Sequence, residues 1–313
     1  MSQTRKKRVV GLGELLWDIL PEKTCLGGAP SNFAYITSVL GNVGIVASRV
    51  GSDPRGTEAR RQLQRSGVET EYLQTDEGQP TGTVQVELDE RGQARYEILQ
   101  PVAWDFLEWT PAWEQLALDC DAVCFGSLAQ RSQQSRHTIQ HFLHAVSPHT
   151  VKVFDVNLRQ DFYTAEVLTQ SMNMAEIVKL NDEELPRIMK LCGLTHTGER
   201  SSAQCLLAKY AMKLVCVTRG SRGSLLVGSN ESDEHEGFSV RVADTVGAGD
   251  AFTAGLVHEY LSGASLSQMN ATANRIGAWV ASRVGAMPTL KEDELRYLLA
   301  EGNSKDRPPR IDV

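Results

Sequence analysis

Asp244-Thr-Val-Gly-Ala-Gly-Asp250 runs directly into AFTAGLVHEYL, ending at Leu261, so small residues meet the first turn of an apolar helix. Glycine and alanine let a backbone close on a ligand. The N–H groups of Gly247, Ala248 and Gly249 at such a helix N-terminus form an anion site, because unpaired donors and the helix dipole both favour phosphate there. Asp250 then stands beside that anion. Two readings stay open on these residues alone: Asp250 caps the helix, or it takes the proton of a hydroxyl that attacks phosphorus. A second segment, Leu26-Gly-Gly-Ala-Pro-Ser-Asn-Phe-Ala34, pairs glycines with Asn32, which offers a donor and an acceptor on a first helical turn. Asp18, at the end of the opening strand, is placed to grip two hydroxyls of a polyol. A plain strand-to-helix turn capped by Ser31 is the competing account.

Around these segments the chain alternates buried-type strands with helical stretches. VVGLGELLWDIL reads as a buried strand running on into an alternating stretch, followed by a helix to Leu40, then GIVASRV and the amphipathic EARRQLQRSG. Further strands are expected at DAVCFGSL, VKVFDVN, EIVKLN and KLVCVTRG, spaced for crossover helices, which predicts an α/β fold with a mostly parallel, helix-covered sheet. TGTVQVELDERGQARYEIL interrupts that rhythm as two period-2 runs joined by Asp89 to Gly92, a hairpin signature. A second hairpin is expected near GSLLVGS, and helices from Ala251 to Leu261 and from Asn270 to Val284. Nothing divides the 313 residues, so one domain over 1–313 is expected, with residues 303–313 a disordered tail.

Composition narrows the function classes. A net charge of -7 repels a phosphate backbone, and the only basic run, Arg5 to Arg8, reads as a solvated tail, so nucleic-acid binding is not expected. No apolar run has the length of a membrane span and no signal peptide is read, so no membrane partner is expected. Six dispersed cysteines without a C-x-x-C pair fit reduced thiols in a cytoplasm. GLGELL has Leu16 in place of the third glycine of a dinucleotide fingerprint, and Gly220-Ser-Arg-Gly223 lacks the Gly-Lys-Ser/Thr ending of a P-loop. Gly126-Ser127 lacks the flanks of a nucleophile elbow. His137, His141 and His144 have helical spacing but no acidic or cysteine partner, and read as a polar face. Trp104, Trp109 and Trp113 read as packing residues.

GGAPSNFAYITSVLGNVGIVASRVGSDPRG and DTVGAGDAFTAG together resemble the two signature segments of the ribokinase-like (PfkB) sugar kinases. The resemblance covers nearly the whole chain, through GLGELLWDILP, DVNLRQDFY, Asn181-Asp-Glu-Glu184, VTRGSRGS and ANRIGAWVASRVGAMP, and several segments look like the bacterial fructokinase branch. It implies a ribokinase-like α/β fold, a central sheet with helices on both faces and a small β lid from about 14–26 and 80–105. It further implies phosphorylation of a sugar hydroxyl by ATP, most specifically fructose to fructose 6-phosphate. Asp250 matches the catalytic base, and Gly247, Ala248 and Gly249 the anion hole. Asp18, Gly28 and Asn32 match sugar contacts, and Tyr96 on the lid hairpin a further one. Asn181 and Glu184 fall on an N-x-x-E element that organises Mg2+ and phosphate partly through water. Thr218, Gly220 and Gly223 match the nucleotide loop, and Asn274 a residue near adenine or ribose. Arg159 looks like an arginine aimed at the transferred phosphate, with a structural ion pair as its alternative. Asp244 and the Val246 carbonyl, helped by carbonyls near Ala281 to Gly285, match a monovalent-cation site, so K+ activation is expected. Val246 and Val156 depart from threonine and proline, which are frequent at those places. A homodimer through the lid edges fits the same picture. Another small substrate (2-keto-3-deoxygluconate, ribose or a nucleoside) is the nearest alternative. A sugar sensor without turnover is the alternative from another class, and intact Asp250, GAG and NDEE speak against it.

Overall fold

Val9 and Val10 of strand β1 (Arg8–Leu12) point to opposite sides of a sheet, and each enters a different hydrophobic core. The same alternation holds at Ile45 against Val46, Val123 against Ala122, and Phe154 against Val153. Strands with both faces apolar require cover on both sides, the condition of a parallel sheet inside helical layers. The computed structural model describes residues 5–20, 23–88, 94–290 and 292–299.

The remaining strands are β2 (Leu16–Ile19), β3 (Thr24–Gly27), β4 (Val43–Gly51), β5 (Leu73–Asp76), β6 (Gly82–Leu88), β7 (Ala94–Ile98), β8 (Ala122–Phe125), β9 (Val151–Asp155), β10 (Ile177–Asn181), β11 (Leu214–Thr218), β12 (Ser224–Gly228) and β13 (Ser232–His235). The helices are α1 (Ala29–Val39), α2 (Pro54–Arg65), α3 (Pro111–Asp119), α4 (Gln133–Ala145), α5 (Ala165–Met174), α6 (Glu184–Leu191), α7 (Glu199–Lys209), α8 (Ala248–Leu261), α9 (Leu266–Ala281) and α10 (Glu292–Leu298). Among the described residues, nine strands form one sheet in the order β13-β12-β11-β10-β9-β8-β1-β4-β5. It is parallel from β11 to β5, with an antiparallel β12–β13 hairpin at one edge. Phe33, Leu63, Phe252 and Ile276 of α1, α2, α8 and α9 fill one core. Trp113, Phe142, Leu168, Ile188 and Leu206 of α3 to α7 fill the other. The α/β architecture with helices on both faces is therefore as expected.

A smaller sheet, β3-β2-β6-β7, stands apart as the lid. The continuous run expected over VVGLGELLWDIL is instead two strands: at Gly13, with φ of 146°, the chain leaves the central sheet and β2 pairs with β3 and β6 of the lid. An apolar run hides this break, because both halves are buried. The turn at residues 89–92 and the tail at 303–313 lie outside the described residues. Helix α9 starts a turn earlier than Asn270, because the Ser265 side chain accepts from the Gln268 N–H, and it ends at Ala281 rather than Val284. Strand β5, whose LQTD carries no apolar run, was not legible. The basic N-terminal run leads into β1 with its side chains paired at the surface: Arg5 and Lys7 with Asp121 at 3.0 and 3.5 Å, and Arg8 with Glu69 at 3.1 Å.

Among the described residues no helix is long and apolar enough to cross a membrane, and no group of three or more His, Cys, Asp or Glu is arranged to hold a metal. His141 instead stacks on Trp109 at 4.3 Å, while Trp104 and Trp113 are fully buried.

Candidate functional site

The carboxyl ends of parallel strands are where an open α/β sheet offers its loops to a ligand. Here the segments after β1, β8 and β9 meet the N-termini of α1 and α8 and the inner face of the lid around a cavity of about 540 Å3. Glu14, Asp18, Gly28, Asn32, Arg159, Lys179 and Asp250 line it, as do Asp244, Val246, Gly247 and Gly249. Two segments more than two hundred residues apart in sequence are thus brought to one wall.

Gly247 caps α8 in the left-handed region with φ of 77°, and no side chain caps the helix. A methyl group there would lie 2.5 Å from Ala286 Cβ, so the turn requires glycine. The N-terminal amides of α8 lack intrahelical acceptors by geometry. That of Ala248 is already engaged by the Thr245 carbonyl at 3.3 Å. At the start of α1, Gly28 has φ of 105° and Ser31 lies inside the helix, donating back to the Gly28 carbonyl at 2.8 Å. The Ser31-capped turn is therefore not what forms.

Asn32 Nδ2 donates to Asp250 Oδ2 at 2.8 Å. A carboxylate only accepts, so the amide nitrogen must face Asp250 and the amide oxygen faces away from it. That oxygen is buried without a partner, and so is Oε2 of Glu14. Burial in the cavity wall, reinforced by the charge of Asp155, pushes the Asp250 carboxyl up to about 6, against the opposing pull of Asn32, Lys179 and Arg159. Burial, with the charge of Asp250, pushes Glu14 up to about 7. Burial also raises Asp18, partly offset by Arg159.

Behind Gly249 lies a buried ion pair. Lys179 Nζ sits 3.1 and 3.2 Å from the two oxygens of Asp155, and Thr253 Oγ1, one turn after Asp250, donates to Asp155 at 2.8 Å. Burial disfavours the Lys179 charge, but the carboxylates of Asp155, Glu184 and Asp250 outweigh it and hold the ammonium above its ordinary value. A Cβ on Gly249 would stand 3.1 Å from Nζ. Lys179, Asp155, Thr253 and Glu14 were all missed in the sequence. A lysine inside the apolar run EIVKLN was the available signal, because a buried cation needs a partner.

Of the remaining expected residues, Arg159, Asp244 and Val246 are on the cavity wall, while Asn181, Glu184, Thr218, Gly220, Gly223 and Asn274 lie outside its lining. Asn181 and Thr218 are register partners at the ends of β10 and β11. Asn181 Oδ1 accepts the N–H groups of Glu183 and Glu184 at 3.0 and 2.8 Å. The Glu184 carboxylate accepts Leu158 N–H at 2.8 Å and Asn181 N–H at 2.9 Å, clamping the loop that carries Arg159. Arg159 itself is exposed, its guanidinium donates to the Leu158 carbonyl at 3.2 Å, and among the described residues it forms no ion pair. Gly220 and Gly223 both have positive φ, 57° and 78°, and a Cβ on Gly223 would fall 1.9 Å from the His235 carbonyl. Asn274 is buried under β12, donating to Ser224 Oγ at 2.7 Å and to Asn270. Asp244 accepts from Val246 N–H at 3.0 Å and Gly285 N–H at 3.1 Å, while the Ala281 carbonyl takes the amides of Ala243 and Asp244. Tyr96 is on β7 opposite Val86, and its side chain is outside the described residues.

The pfkB family carbohydrate kinases match this chain over residues 23–293. The chain belongs to that family. This kinase is 34% identical to a fructokinase of Escherichia coli over 304 residues, covering 89% of its own length and 94% of the relative. Among solved structures, an uncharacterized sugar kinase of Pyrococcus horikoshii in complex with ATP superposes with a TM-score of 0.78 at 27% identity, covering 92% of this kinase and 97% of that chain. A Vibrio cholerae fructokinase bound to fructose, ADP and calcium ion superposes with a TM-score of 0.77 at 27% identity, covering 95% and 100%. The ribokinase-like fold and the sugar-kinase class are thereby shown.

Proposed function

We propose that this kinase transfers the γ-phosphoryl group of ATP to a hydroxyl of fructose, giving fructose 6-phosphate and ADP, with Asp250 as the general base. The observation that carries the reading is the Asn32–Asp250 hydrogen bond of 2.8 Å, which holds a carboxylate on the cavity wall at the N-terminus of α8. A base with its proton affinity raised to about 6 is ionised at neutral pH yet close enough to it to accept a proton. The Gly247, Ala248 and Gly249 amides at the N-terminus of α8 are assigned to the charge that develops on the phosphoryl group, and Arg159, which lines the same cavity as Gly247 and Gly249, adds a permanent positive charge. Asp18, Gly28 and Asn32 form the sugar side of the cavity, over which the lid, carrying Tyr96, excludes water.

Nucleotide binding falls to the ends of β10 and β11 and the loop after them, through Asn181, Thr218, Gly220 and Gly223, with Asn274 behind. Both oxygens of Glu184 already accept backbone N–H groups, which fits Mg2+ held on nucleotide phosphates and met by Glu184 only through water. Magnesium supplies charge neutralisation on those phosphates. Asp244 keeps lone pairs beyond its two amide contacts, so with the Val246 carbonyl it fits a K+ site. A cytoplasmic enzyme, one domain over 1–313 and a homodimer joined through lid edges complete the reading.

The test is ADP release from purified protein with ATP, magnesium and potassium across fructose, ribose, tagatose, 2-keto-3-deoxygluconate, adenosine and fructose 6-phosphate. Fructose is expected to give the highest kcat/KM. Another winner moves the substrate within the kinases, and no release on any of them, with fructose still bound, makes the protein a sensor.

A further inference from the structure

Two buried acceptor atoms on the cavity wall have nothing to accept. Glu14 is 4% exposed and Asn32 is 4% exposed, yet Oε2 of the first and Oδ1 of the second lack any hydrogen-bond partner. A buried polar atom left unpaired costs roughly 1–3 kcal/mol, and of the unpaired buried side-chain atoms among the described residues these two line the cavity, where a ligand hydroxyl can complete them. Both residues line the one cavity and both flank Asp250, Asn32 by direct hydrogen bond and Glu14 by charge. Glu14 is held there by the backbone: it follows the Gly13 break between β1 and β2, and Gly28 lets the start of α1 pack on it, since a Cβ on Gly28 would lie 2.7 Å from the Glu14 carbonyl.

The charge around these acceptors is one-sided. Glu14, Asp18, Asp244 and Asp250 contribute four carboxyls to the cavity lining, opposed by Arg159 and Lys23. Lys179 is committed to Asp155, and Lys23 is exposed on the lid. Carboxylates accept hydroxyl protons well and repel a second anion.

We propose that Glu14 is a sugar-binding residue: its Oε2, with Asn32 Oδ1, takes hydroxyls of a neutral polyhydroxylated substrate, and its carboxyl discriminates against sugar acids and sugar phosphates. This rests on the sugar-kinase reading of the cavity and adds to it the class of sugar. The experiment is calorimetric titration of the full chain at about pH 8.5, where a Glu14 carboxyl raised to about 7 is ionised, without ATP, with fructose and with 2-keto-3-deoxygluconate, and separately with ADP. The wild-type protein is expected to prefer fructose. Glu14→Ala is expected to weaken fructose binding by about tenfold or more, the equivalent of about 1.4 kcal/mol, with ADP affinity kept within about threefold. Glu14→Gln keeps an acceptor and loses the charge, so it is expected to shift the 2-keto-3-deoxygluconate-to-fructose affinity ratio upward by about fivefold or more.

Fructose affinity preserved in Glu14→Ala, or lost in step with ADP affinity, overturns the proposal, as does a wild-type preference for the acid. Should Glu14→Ala fail to fold, an unchanged ratio in Glu14→Gln overturns it equally. A wild-type protein that binds fructose and releases no ADP sinks the kinase reading and leaves the role of Glu14 standing.

Discussion

Asp250→Asn is expected to lower kcat/KM by about a thousandfold or more while raising the thermal midpoint of the folded protein. The amide keeps the shape and an acceptor for Asn32 Nδ2, so the 2.8 Å contact survives, but it takes no proton from the sugar. The stability gain follows from linkage. The fold raises the Asp250 carboxyl to about 6, so the folded state binds this proton more tightly than the unfolded chain does. Stability is therefore lost as pH climbs through that window, up to about 3 kcal/mol at neutral pH at 1.36 kcal/mol per unit, and the amide removes the penalty. Activity has the opposite sign: the base must be ionised, so kcat/KM of the wild-type enzyme falls below about pH 6. Coupled ADP assays and scanning calorimetry read the two effects. An Asn variant that turns over normally removes Asp250 from the chemistry, and one that is less stable at pH 7.5 contradicts the electrostatics.

Lys179→Met is expected to be the most damaging single change away from the reacting atoms. It leaves Asp155 buried with only the Thr253 hydroxyl, and breaking one side of a buried pair costs roughly 3–5 kcal/mol. It also removes one of the cations that hold Asp250 ionised, so the acid limb of kcat/KM moves above its wild-type position. Adding Asp155→Asn deletes the stranded charge and is expected to recover most of the stability, read by urea unfolding. Failure of the double variant to recover stability places the cost in packing rather than in charge.

How much of this was legible follows from what a sequence encodes locally. GAGD before an apolar helix and GGAPSN before another each announce a helix start open to a ligand, and both ended on the same wall. Buried-type strands such as DAVCF and KLVCV, spaced for crossover helices, announced a sheet covered on both faces. What was hidden depends on partners distant in the chain. Glu14 sits in a run that reads as one strand, and only the departure of β2 into the lid turns it toward the cavity. Lys179 reads as an interruption of a buried strand until Asp155, on the neighbouring strand β9, is placed beside it. Asn274 carried a motif but no local sign that Ser224 and Asn270 occupy its amide.

The measurement that bears most directly on the central claim is phosphorus-31 NMR of the enzyme with ATP, magnesium, potassium and fructose. The account predicts one fructose 6-phosphate for each ADP formed, and no such product with Asp250→Asn. ADP appearing with inorganic phosphate alone, or fructose 6-phosphate formed at the wild-type rate by the Asn variant, contradicts it.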